Sequence, residues 1–102
     1  MNAIDLPIAC SLTTAELQER RSKVLQKVTA ARMDSQELDN GYVYRFPSDG
    51  TWITEIATLV SLERECCPFL RFRITVEPGQ GNILLEITGP AGTKEFLADI
   101  FN

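Results

Sequence analysis

Apolar and polar positions alternate at the start of the chain. Ile4, Leu6, Ile8, Cys10 and Leu12 fall on one side, and Asp5, Pro7, Ala9 and Ser11 on the other. A period of two reads as an extended arm over residues 1–12 with Cys10 facing inward. Pro7 has no N–H to give a ladder, which confines the arm to a sheet edge or to no sheet at all. The period then lengthens. Leu17, Val24, Leu25, Val28 and Ala31 recur at helical spacing, while Arg20, Arg21, Lys23 and Lys27 mark a wet face, so a helix is expected over 14–32. Thr13 with Glu16 three residues later predicts a capping box at its start.

A polar edge strand is expected from Met33 to Leu38, then a two-residue turn at Asn40-Gly41, a dipeptide suited to positive φ. Tyr42, Tyr44 and Phe46 alternate with Val43 and Arg45 in the return strand. A second helix is expected from Trp52 to Cys67, with Pro68 stopping it. Leu70, Phe72, Ile74 and Val76 share one face of a third strand. Pro78 to Gly81 turns the chain, and Ile83, Leu85 and Ile87 line a fourth. Gly89-Pro90-Ala91-Gly92 opens a last helix carrying Phe96, Leu97, Ile100 and Phe101. The expected fold is α+β: one domain over 1–102, an antiparallel sheet of about four strands with helices on one face, in the order α-β-β-α-β-β-α.

Composition narrows the function. With 44% hydrophobic and 24% charged residues the chain is ordinary globular material. A net charge of −4 gives it no overall attraction to phosphate backbones, which argues against a nucleic-acid partner. No run approaches the roughly 20 apolar residues that span a membrane, and no secretory signal pattern is seen at the start, so a cytoplasmic protein is expected. Histidine is absent. That removes Ser-His-Asp and Cys-His mechanisms together with the commonest metal ligand.

The second helix carries the chemistry. On a wheel of about 100° per residue, Trp52, Ile53, Ile56, Leu59 and Val60 define its apolar face. Thr54, Thr58, Ser61 and Glu65 define the polar one. Glu63 lands near the middle of the apolar face, where a carboxylate is unfavourable unless paired or protonated. Cys66 and Cys67 follow within about one turn. Neighbouring Cα atoms are about 3.8 Å apart, below the usual disulfide range of about 4.4–6.8 Å. A Cys66–Cys67 bridge would be strained, so reduced thiols are expected. Thiolates bind soft cations, and Cys66, Cys67 and Glu63, with Cys10 if the arm folds back, make a candidate site for a soft metal ion or thiol-reactive ligand. No C-x₂-C pair is present. Against the site stands plain burial, the usual fate of reduced cysteine, with Glu63 paired to an arginine such as Arg21 or Arg71 or reaching the backbone amides of the N-terminal arm. A nucleophilic role is disfavoured, because the helix C-terminus, Glu63 and Glu65 all oppose thiolate formation.

The stretch Glu63-Arg64-Glu65-Cys66-Cys67-Pro68-Phe69-Leu70-Arg71-Phe72, with Thr88-Gly89-Pro90-Ala91-Gly92-Thr93-Lys94, resembles a family of small bacterial proteins carrying E-R-x-C-C-P-F-x-x-F and T-G-P-x-G-x-K. Some of those also have an early cysteine where Cys10 stands. The resemblance covers residues 10–101 and implies a recurring design without an activity attached.

Other features add less. Gly89 to Lys94 departs from the Walker pattern, because Thr93 separates Gly92 from Lys94. A plain strand-to-helix turn is expected there. Arg45, Arg71 and Arg73 are expected on the open sheet face, with Glu37 and Glu86 available as mates. The arm and the polar edge leave room for a homo-oligomer formed by strand addition.

Overall fold

The computed structural model describes residues 14–101. Three helices, α1 (Ala15–Ala31), α2 (Thr51–Cys66) and α3 (Thr93–Phe101), alternate with two hairpins. These are β1 (Asp34–Leu38) with β2 (Gly41–Phe46), and β3 (Arg71–Val76) with β4 (Ile83–Thr88). All neighbouring strands are antiparallel, in the order β1-β2-β4-β3. The fold is therefore α+β in the expected element order. The arm expected over 1–12, Cys10 included, lies outside the described residues.

The core follows from period-two patterning read across paired strands. Tyr44 is opposite Leu85 and Phe46 opposite Ile83. Together with Ile87 these form a fully buried sheet face, onto which Val28, Ile56, Leu59, Leu97 and Phe101 pack from the helices. Apolar burial of this kind contributes about 1.5–3 kcal/mol for each large side chain. The opposite face is polar. Arg45 donates to Asp34 across the β1–β2 pair, and Arg73 lies 3.8 Å from Glu86 across β3–β4. Glu37, expected as a mate for these arginines, instead accepts from Lys94.

Several local expectations are corrected. α1 is capped by Thr14, whose hydroxyl accepts from the Leu17 N–H at 3.2 Å. The capping threonine therefore stands one residue later than the Thr13–Glu16 box requires. The first hairpin closes through Asp39 and Asn40, because Leu38 pairs with Gly41. Gly41 is needed for space, since a Cβ there would stand 1.9 Å from the Ile87 carbonyl oxygen. Ile53, expected on the buried stripe of α2, is 40% exposed. Buried on that helix instead are Ile56, Leu59, Leu62, Glu63 and Cys66.

Candidate functional site

The end of α2 is built tightly. The Cys67 N–H donates to the Glu63 carbonyl at 2.6 Å, closing the last helical turn. Pro68 cannot continue that pattern. The Leu70 N–H then donates to the Cys67 carbonyl at 3.1 Å, turning the chain into β3. Cys66, Cys67 and Phe69 form a buried cluster, with Leu17, Leu70 and Phe96 packed around it. Phe69 meets Phe96 edge to face at 5.1 Å.

Glu63 is completely buried, as its place on the apolar stripe requires. Its compensation comes from α1. Arg21 Nη2 donates to Glu63 Oε1 at 3.0 Å, and Arg21 Nε donates to Oε2. This two-point fork is the geometry in which a guanidinium best neutralises a carboxylate. It also holds the Arg21 pKa above its ordinary value, against the opposing pull of burial. The wheel placed Arg21 on the wet face of α1, yet it turns inward to this pair. Of the two candidate arginines for Glu63, Arg21 takes the role and Arg71 stays exposed.

The two sulfurs differ in state. Cys67 is a free, buried thiol. It makes a long S–H···O contact of 4.0 Å to the same Oε1 that Arg21 holds. Burial, then the charge of Glu63, push its pKa up to about 12, with Arg21 pulling the other way. Cys67 is thus a protonated thiol, the opposite of an activated nucleophile. Cys66 is also sealed from solvent, and it is disulfide-bonded. Its partner is not Cys67, which is free. This corrects the expectation that all the cysteines are reduced, although the predicted absence of a Cys66–Cys67 bridge agrees with it. Cys10 lies outside the described residues.

The Cys67 sulfur lies against the Glu63 carboxylate that Arg21 holds, and Cys66 is buried in the same cluster as Cys67; sequence reasoning had Arg21 only as one of several candidate partners. Among the described residues no group of three His, Cys, Asp or Glu side chains is placed to hold a metal ion. No described helix is long and apolar enough to cross a membrane. A scan against protein-family models finds no match, and comparisons with curated proteins and with solved structures find none either.

Proposed function

We propose that this protein is a small cytosolic binding protein for a soft metal ion or a thiol-reactive ligand. In this reading Cys66 and Cys67 are the ligands, Cys10 supplies a third sulfur, and Glu63 is the accompanying carboxylate. The disulfide at Cys66 is then the closed state of the site. One observation carries the reading: a disulfide sulfur and a protonated thiol stand side by side in the chain, and the thiol touches a buried, arginine-held carboxylate.

Opening the site requires a reductant of the thiol or dithiol class. It delivers two electrons and two protons to the disulfide, which becomes two thiols while the reductant becomes a disulfide. A reducing cytosol favours that form. An incoming cation then displaces the thiol protons. Burial and the neighbouring Glu63 charge raise the Cys67 pKa, so loss of its proton at neutral pH opposes binding. Only cations with a strong affinity for sulfur overcome that, which favours Cd²⁺, Hg²⁺ or trivalent arsenic over Mg²⁺ or Ca²⁺.

Elemental analysis after incubation with Cd²⁺ and desalting tests the reading. The reduced protein should retain about one ion per chain, while the oxidised protein and reduced Cys66→Ser should retain far less. Equal, negligible retention in all samples rejects the site. That result leaves the second reading, a structural or interaction module whose cysteines only pack. The sealing of both sulfurs beneath Phe69, Leu17 and Phe96 favours it.

A further inference from the structure

The two edges of the sheet are not alike. β1 presents Asp34, Ser35, Gln36 and Glu37, all exposed, a polar edge of the kind that resists pairing. β3, at the other edge, presents Ile74 and Val76 to solvent at 40% and 54% exposure. These lie on the helix-covered side of the sheet, since Ile74 is opposite Leu85 and Val76 opposite Ile83.

The hydrogen-bond alternation shows which backbone groups of β3 point away from β4. The Glu77 N–H donates to the Asn82 carbonyl. That pair continues the β3–β4 register, in which Thr75 faces Leu84 and Arg73 faces Glu86. In an antiparallel pair, bonded and non-bonded positions alternate. The odd residues of β3 therefore bond to β4, and Phe72, Ile74 and Val76 aim their N–H and C=O groups outward.

We infer that β3 pairs antiparallel with β3 of a second copy of this chain about a two-fold axis at Ile74, joining the two sheets into one. Facing residues must lie on the same side of a sheet, and a two-fold axis makes their numbers sum to a constant. With Ile74 opposite itself, Phe72 faces Val76 of the second copy and Arg71 faces Glu77. All three outward residues on each strand then find bonding partners, and every exposed apolar side chain of the strand meets another. The facing charges are opposite. Arg71 and Glu77 make no ion pair among the described residues within one chain, and they would meet at a non-bonded position, where cross-strand side chains approach most closely. A shift of two residues one way centres Arg73 on Arg73, opposing like charges. The same shift the other way places Phe72 opposite Pro78, which has no N–H to donate. The Ile74-centred register is the one that fits.

Sedimentation equilibrium over a range of protein concentrations tests this. A monomer–dimer equilibrium is expected. Ile74→Lys, which sets two ammonium groups at the axis, should raise the dissociation constant about tenfold or more without altering the circular dichroism spectrum. Arg71→Glu and Glu77→Arg should each weaken the dimer, and combining them should restore it, a result that loss of folding does not mimic. Monomer at every concentration overturns the inference. So does a dimer indifferent to Ile74→Lys, or a charge-reversed double variant weaker than both single ones.

Discussion

Arg21 and Glu63 stand 42 residues apart in the chain and meet as a two-point ion pair between α1 and α2, with Cys67 at the edge of the same carboxylate. The pair ties the first helix to the second at the level of the sulfurs. It also explains how a carboxylate persists at a position where the helix pattern asks for an apolar residue.

Removing one member of that pair should be worse than removing both. Arg21→Met leaves Glu63 buried without its counter-ion and should lower stability by about 3 kcal/mol. The double variant Arg21→Met with Glu63→Leu should recover most of the loss, since an apolar pair suits the site. Urea denaturation of the single and double variants checks this, and simple additivity of the two losses would contradict it.

The raised Cys67 pKa has a consequence for stability at high pH. In the unfolded chain the thiol titrates near its ordinary value of 9.0, and in the folded protein only near about 12. Between those values the folded state holds a proton that the unfolded state has lost. The contribution is therefore fully present below about pH 9 and is lost as pH rises toward 12. The slope approaches about 1.4 kcal/mol per pH unit. Tyr44, also raised by burial, destabilises in the same direction. Cys67→Ser should remove the part of the slope that belongs to the thiol, as read from chemical denaturation across pH 8–11 in the presence and absence of reductant.

Native thiol counting on the oxidised protein should find Cys67 inert. It is sealed from solvent and protonated, so modification by a neutral-pH thiol reagent should require unfolding. Peptide mapping without reductant should find Cys66 in a disulfide and Cys67 as a free thiol. Cys66→Ser should lower the stability of the oxidised protein by about 2–4 kcal/mol and leave the reduced protein far less affected.

Gly41→Ala should be severe for its size. The added methyl group would overlap the Ile87 carbonyl at the β2–β4 pair, so the strands must part or shift. A loss of about 2 kcal/mol or more is expected from thermal or urea unfolding.

Much of this was legible in the chain. Period-two stretches ending at turns announce the four strands, and the Glu63 anomaly on the α2 wheel locates the buried charge without coordinates. What was not legible had physical causes. Arg21 lies on the polar side of its own helix, and only the packing of α1 on α2 shows that its long side chain reaches inward. Thr13 and Thr14 are chemically equal caps, and the choice between them depends on the path of the preceding chain. Asn40-Gly41 suggested a turn needing positive φ, while the actual demand on Gly41 comes from β4, some 46 residues on at Ile87. Ile53 is apolar and correctly phased, but it stands in the first turn of α2 and stays 40% exposed. The disulfide state of Cys66 could not be read, because spacing along a chain does not give cysteine connectivity.

X-ray absorption at the metal edge of the reduced, Hg²⁺-loaded or Cd²⁺-loaded protein tests the sulfur site most directly, since it counts the atoms bound to the ion. Two or more sulfur neighbours, falling by one in Cys67→Ser, is the predicted result. An ion bound only through oxygen or nitrogen, or a sulfur count unchanged by that substitution, contradicts it.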